Sequence, residues 1–371
     1  MKEIGIYVHI PYCKRKCHYC DFISFANKEE TVDEYIKVLE KEIDECKYSG
    51  FNIGTIYIGG GTPSSINEKY ITEIVNKIRE KFIVSQNAEI TLEINPGTMT
   101  KEKLQEYKRA GINRLSIGLQ STDNEILKKI GRIHTYEEFR DTYNMARDVG
   151  FNNINVDLMF ALPEEDEWSI AIQVSEIINL KPEHVSIYSL IVEENTKLKS
   201  MLDNKEIELP NDEEERKMYW KIKELLEENG YQHYEISNYS LPGYNSRHNT
   251  DCWNQKEYLG FGTAAHSYFN GKRFSNKKTI EEYIEKYNEK EIEEEQTREN
   301  MAKEYMILGL RKIEGVVISE FERKFQMNPL FYFRFEISKL VDEELIEIDL
   351  DNIKLTKKGL DFANIVWEEF V

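Results

Sequence analysis

No stretch of the 371-residue chain approaches the run of roughly 20 apolar residues that a membrane-spanning helix needs, and the mean hydropathy is −0.60. A soluble protein is expected. Basic charge is also short: 49 Lys and Arg stand against 68 Asp and Glu, a formal net charge of −19. That balance opposes a phosphate-backbone partner, so nucleic acid is not the expected ligand. Neither GxxxxGK[ST] nor GxGxxG occurs, which removes the two common phosphate cradles. Cysteine is scarce, five in all. An odd count with three thiols crowded into residues 13–20 is no disulfide framework and suits a reducing compartment, here expected to be the cytoplasm. The opening MKEIGIYVHI meets Pro11 and a cysteine before any h-region or cleavage site, so no signal peptide is expected.

What is present is a repeated strand-then-helix pattern. Apolar runs at 4–9, 55–58, 89–94, 114–119, 153–160 and 184–190 alternate with amphipathic stretches at 31–48, 67–82, 101–110, 136–149 and 168–180. Such alternation predicts parallel βαβ units with right-handed crossovers and six strands, in an open sheet or a barrel. In both, chemistry gathers at the carboxyl ends of the strands. The unusual residues fall there: a cysteine loop after the first strand, Gly59-Gly60-Gly61-Thr62-Pro63 after the second, Glu93 late in the third, Gln120-Ser121 after the fourth and Asp157 late in the fifth. Consecutive glycines let a ligand approach the backbone closely.

The cysteine loop reads Cys13-Lys14-Arg15-Lys16-Cys17-His18-Tyr19-Cys20. Thiolates suit iron–sulfur clusters and zinc, and no second Cys pair follows to build a zinc finger. Three thiolates would hold a 4Fe-4S cluster by three irons and leave the fourth open. The alternative is a closed Cys3His zinc site using His18 or His9. Cys46, near the end of the first helix, reads as a small apolar residue.

The CxxxCxxC spacing resembles the signature of the radical S-adenosylmethionine (SAM) superfamily. The match widens over YVHIPYCKRKCHYCDF, IGGGTPS, LEINPG, RLSIGLQS, NVDLMFALP and YLGFGTAAHS. Together these segments resemble the family of oxygen-independent coproporphyrinogen III dehydrogenase and the HemW-type heme chaperones. That resemblance implies a partial (β/α)6 barrel of the α/β class and a 4Fe-4S cluster on Cys13, Cys17 and Cys20. It implies SAM beside Tyr7, Tyr19, Phe22, Gly60, Gly61, Thr62, Glu93, Gln120, Arg132 and Asp157. The dehydrogenase carries a further cysteine after the triad and an N-terminal extension; position 22 here is Phe, and three residues precede the first strand. Both differences favour the chaperone over an enzyme of porphyrin biosynthesis.

Arg247-His248-Asn249-Thr250-Asp251-Cys252-Trp253 is similar to the HNxxYW segment of the chaperones, with Cys252 where tyrosine is usual. The resemblance implies heme on His248, with Cys252 either a second ligand or a small apolar substitute and His266 a weaker candidate. No CxxCH is present for covalent heme. The implied partners are heme-accepting proteins, with peripheral contact to membrane hemoproteins, for a monomer or homodimer.

The tail is expected to hold charged linking helices over 281–304, helices at 301–313, 318–326 and 332–344, and a hairpin over 345–356 turning at Asp351-Asn352. This pattern resembles a winged helix. Its 11 basic and 15 acidic residues over 297–371 oppose a DNA partner, so docking against the barrel mouth or a protein partner is expected. The expected division is 1–240 for the barrel, 241–296 for the heme-motif segment and linker, and 297–371 for the C-terminal domain.

Overall fold

The computed structural model describes residues 2–371. Six strands lie side by side and parallel: β1 (Lys2–Ile10), β2 (Phe51–Gly60), β3 (Ile83–Ile94), β4 (Arg114–Gln120), β5 (Ile154–Phe160) and β6 (His184–Ser189). Their side chains alternate strictly. One face carries Ile6, Val8, Ile56, Ile58, Leu92, Leu115, Ile117, Val156 and Ile187, all buried. The other carries Tyr7, His9, Thr55, Tyr57, Glu93, Arg114, Ser116, Asp157 and Ser186. Parallel strands covered on both faces usually read as continuous apolar runs. Here period-2 alternation leaves the concave face polar, a place for ligands rather than for packing.

The apolar face is covered by α1 (Val32–Asp44), α2 (Glu68–Lys81), α3 (Lys101–Ala110), α5 (Tyr136–Val149) and α6 (Glu167–Leu180), while the short α4 (Asn124–Lys129) packs in a separate small cluster with Met159, Leu162 and Leu198. Local chemistry fixes their limits. In α5 a capping box joins Thr135 and Glu138, Gly150 ends the helix at φ +95°, and Phe139, Thr142, Tyr143 and Ala146 form the buried stripe. Each such cap contributes about 1 kcal/mol. Cys46 packs half-buried against the same core. Two further helices, α7 (Lys197–Asp203) and α8 (Asp212–Glu228), follow β6.

Beyond β6 the sheet continues. Short strands β7 (Gln232–Glu235) and β8 (Asn238–Ser240) extend the β6 edge. After α9 (Arg247–Trp253), β9 (Tyr258–Phe261) runs parallel to β1 on the opposite edge, and β10 (His266–Phe269), β11 (Lys272–Ser275) and β12 (Glu291–Glu295) add antiparallel strands. The sheet order is thus β12-β11-β10-β9-β1-β2-β3-β4-β5-β6-β8-β7. Residues 281–304, expected to be linking helices, instead form α10 (Ile280–Lys286), β12 and the start of α11 (Arg298–Gly309). The acidic run Glu291–Glu295 becomes a strand because Lys272 pairs with Glu295 and Arg273 stands opposite Glu294 on β11. Phe274, Ile280 and Tyr283 join the barrel core, so residues 258–295 are part of the sheet body.

A separate core around Met306, Phe321, Leu340, Ile353 and Val366 organises the C-terminal unit. It holds α11, β13 (Val316–Val317), α12 (Ile318–Phe325), α13 (Arg334–Asp342) and the hairpin β14 (Ile346–Asp349) with β15 (Asn352–Leu355), a winged-helix-like order. Asp349 pairs with Asn352, so the hairpin turns at Leu350-Asp351, one residue earlier than expected, with Leu350 at φ +54°. This unit does not meet the barrel mouth. Lys312 pairs across to Glu235 on edge strand β7, Asp361 receives Trp220 and Arg216 of α8, and Arg311 lies between the rings of Trp253 and Trp367. The unpaired sheet edge and the end of α9 attract it more than the polar mouth does. Among the described residues no helix is long and apolar enough to cross a membrane.

Candidate functional site

β1 delivers the cysteine loop to the carboxyl end of the sheet, and backbone bonds hold it there. Gly61 N donates to Ile10 O (2.8 Å), Thr62 N to Tyr12 O (2.7 Å), Phe25 N to Pro11 O (2.7 Å) and His18 N to Ile130 O (2.9 Å). Arg15 donates to the Gly131 and Arg132 carbonyls. The half-buried Cys13, Cys17 and Cys20 line one cavity of about 470 Å³. Burial pushes the Cys13 and Cys20 thiols up, so each would be deprotonated only against a positive partner such as iron.

The donor set fits an iron–sulfur cluster better than the zinc alternative. His9 and His18 have both ring nitrogens engaged elsewhere. His9 meets Tyr7 Oη and the Ile23 carbonyl, and His18 meets the Lys129 carbonyl and Lys197 Nζ. Neither has a nitrogen left to complete a Cys3His set.

Gly60, Gly61, Thr62, Glu93, Gln120, Arg132, Asp157, Tyr19 and Phe22 line the same cavity. The glycines are required by contact: a Cβ on Gly61 would stand 2.7 Å from Tyr12 O, and one on Gly60, at φ +113°, 2.6 Å from the His9 ring. Thr62 Oγ1 lies 3.5 Å from Cys13 Sγ and accepts from Asn95 Nδ2 (2.9 Å). Arg132 donates to Cys17 Sγ (3.6 Å), to Asn95 Oδ1 (2.9 Å) and to the Gly118 carbonyl. It is therefore a strut between the cysteine loop and the ends of β3 and β4. Gln120 reaches the rim at φ +78°, beyond a bulge in the pairing of β4 with β5.

Four carboxylates line the cavity, Asp21, Glu93, Asp157 and Glu193, and two of them, Glu93 and Asp157, stand on strands of the sheet. Asp157 accepts from Ser116 (2.9 Å) and Asn155 (2.7 Å), and burial pushes its carboxyl up. Glu93 accepts from Tyr57 Oη (2.7 Å) and Gly60 N (3.1 Å); burial, with the charge of Asp157, pushes it up to about 7. The folded state therefore holds a proton that the unfolded carboxyl, titrating at 4.5, has released, so this group's contribution to stability falls as pH rises from 4.5 to about 7. A cationic ligand should show the opposite trend. With SAM as the cationic probe, any binding measured by equilibrium dialysis is expected to rise with pH by up to about tenfold per unit below about pH 7 and then level off. Glu93→Gln is expected to flatten that profile.

A second cavity, of about 580 Å³, shares Asp21, Phe22, Gly60 and Glu93 with the first and is lined by Tyr7, His248, Cys252, Tyr258, Ala264, His266 and Lys278. Tyr7 thus belongs to this chamber, its hydroxyl 2.9 Å from His9 Nδ1. The backbone N–H groups of Arg247 and His248 donate to the Glu89 carboxylate, which fixes the start of α9 inside the barrel. His248 is buried. Its Nδ1 meets Thr55 Oγ1 at 2.9 Å, and its Nε2 makes no hydrogen bond among the described residues. Burial holds its pKa down at about 4, so the imidazole is neutral at physiological pH and free to ligate a metal. Burial pushes the Cys252 thiol up to about 12. His266 is 57% exposed and turns to Glu293, which leaves it a poorer candidate than His248.

Sequence reasoning missed Tyr57, Asn95 and Ser116, which hold Glu93, Arg132 and Asp157 in place. Position was the available signal: Tyr57 and Ser116 alternate with the apolar residues of their strands, and Asn95 directly follows β3.

A family model described as the Radical SAM superfamily matches residues 7–172, and one described as the HemN C-terminal domain matches residues 296–362. The chain is 35% identical to the "Heme chaperone HemW" of Lactococcus lactis subsp. lactis, with 100% of this chain and 98% of that protein covered. It is 36% identical to the "Heme chaperone HemW" of Bacillus subtilis, with 98% of each covered. Among solved structures, coproporphyrinogen III oxidase (HemN) from Escherichia coli, described as a radical SAM enzyme, superposes with a TM-score of 0.86 at 22% identity, over 100% of this chain and 90% of that one. At that identity the likeness is one of fold.

Proposed function

The chain belongs to the HemW family of radical SAM proteins, and from that premise we propose that it is a cytoplasmic heme chaperone that passes heme to hemoproteins. The observation that carries the reading is the neutral, buried His248, whose unpartnered Nε2 borders an aromatic-walled chamber next to the thiol-lined cavity. Neutral imidazole is a common axial ligand for heme iron. Tyr7, Phe22, Ile23 and Tyr258 offer apolar surface to a flat macrocycle, and the exposed Lys278 offers a cation to its carboxylates. A volume of about 580 Å³ is within the range of small-molecule sites.

Cys13, Cys17 and Cys20 would hold a 4Fe-4S cluster, with Arg132 and Thr62 donating toward its sulfur ligands. When bound, the cluster would supply one electron to SAM. Glu93 and Asp157 would face the positive sulfonium and amino groups, and Gly60 and Gly61 would let them approach the backbone.

Anaerobic titration with ferrous heme, followed by the Soret band, tests the reading. One heme per chain is expected for the wild type, and affinity at least tenfold lower for His248→Ala, a loss of about 1.4 kcal/mol or more. Unchanged affinity would remove His248 from the site. Turnover of coproporphyrinogen III to protoporphyrinogen by the reconstituted protein would replace the chaperone reading with an enzymatic one.

A further inference from the structure

His248 and Cys252 are four residues apart on α9, and both line the same chamber. Side chains at that spacing share one helix face. His248 is 7% exposed with Nε2 unpartnered among the described residues, and Cys252 is a free thiol. Cys252 thus sets a soft sulfur donor on the same helix face as the imidazole.

We propose that His248 and Cys252 form an oxidation-state-dependent ligand pair for the bound heme: the Cys252 thiolate holds ferric iron and His248 Nε2 holds ferrous iron. The inference rests on the heme reading above. Both donors stand on one helix and open into one chamber, so they would compete for the same iron. The choice follows from charge. A ferric porphyrin centre is net positive and a ferrous one neutral, so an anionic thiolate gains Coulomb energy with the first and little with the second. Neutral imidazole is nearly indifferent to that charge.

The exchange balances as follows. With dithionite as the one-electron reductant, Cys252 would leave the iron and take a proton from solvent to become a thiol, and His248 Nε2 would bind the iron in its place. Oxidation by ferricyanide would reverse each change and release the proton. Heme would then be held by a different residue before and after reduction.

The test uses full-length protein loaded with hemin. Visible absorption and magnetic circular dichroism are recorded for the ferric and dithionite-reduced states of the wild type, Cys252→Ala, Cys252→Tyr and His248→Ala. The wild-type ferric form is expected to show the thiolate charge-transfer signature, and both Cys252 variants to lose it. The reduced spectra of wild type and Cys252→Ala should coincide, while His248→Ala should keep the ferric thiolate signature and change only when reduced. A ferric wild-type spectrum without thiolate character, or one unaltered in Cys252→Ala, overturns the ligand pair while leaving heme binding in place. Failure of the wild type to take up heme stoichiometrically would overturn the heme reading and this inference with it.

Discussion

Replacement of Cys17 by alanine is expected to reduce the iron of anaerobically reconstituted protein from about four atoms per chain to well under one, with acid-labile sulfide falling in parallel. Cys17 is central to the triad: its Sγ accepts from Arg132, whose other donors reach Asn95 and Gly118. The loop is also fastened by backbone bonds at Gly61, Thr62, Phe25 and His18, none of which uses a thiol. The metal-free variant should therefore unfold in urea close to the metal-free wild type, separating loss of ligation from loss of fold. Cys13→Ala and Cys20→Ala should act alike, whereas Cys46→Ala, packed against the core at the end of α1, should leave iron content unchanged. Wild-type protein that retains zinc and no iron after reconstitution would sink the cluster reading.

Gly61→Ala should be a strongly damaging single methyl in the barrel mouth. The added Cβ would stand 2.7 Å from Tyr12 O, 3.0 Å from Ile10 O and 3.0 Å from Pro11 C. All three are backbone atoms, and two of them accept the hydrogen bonds that fasten the loop, from Thr62 N and Gly61 N. No side chain is available to swing aside. Relief requires the cysteine loop to lift off β2, at an expected loss of about 2–3 kcal/mol in urea unfolding of the metal-free protein and a marked loss of iron. Gly50→Ala provides the control. Its φ is +89° but nothing lies within 4 Å, so only backbone strain of about 1 kcal/mol is expected, with iron retained.

Much of this site could be read along the chain because the information is local. The six strands show as short apolar runs between amphipathic stretches, and the reactive residues recur at strand ends. A parallel sheet then carries those ends to one side with no further instruction. The short strands β9 to β12 were hidden for a physical reason. Glu291–Glu295 has little strand propensity of its own, and it extends where Lys272 pairs with Glu295 and Lys277 with Glu291. The heme-motif helix divides in a way its letters do not reveal. His248 and Cys252 turn into the chamber, while Trp253 packs under Arg311 from the C-terminal unit.

By itself the sequence determined which residues are chemically capable and in which direction the strands carry them, since thiol spacing, glycine runs and hydrophobic periodicity are properties of neighbours. Tertiary structure alone decided that two chambers share a wall at Gly60 and Glu93, that Arg132 spans the cysteine loop and two strand ends, and that His248 keeps a free nitrogen. Those facts depend on which groups meet across the barrel and how far they are withdrawn from water. Neither is set by any stretch of chain shorter than the whole sheet.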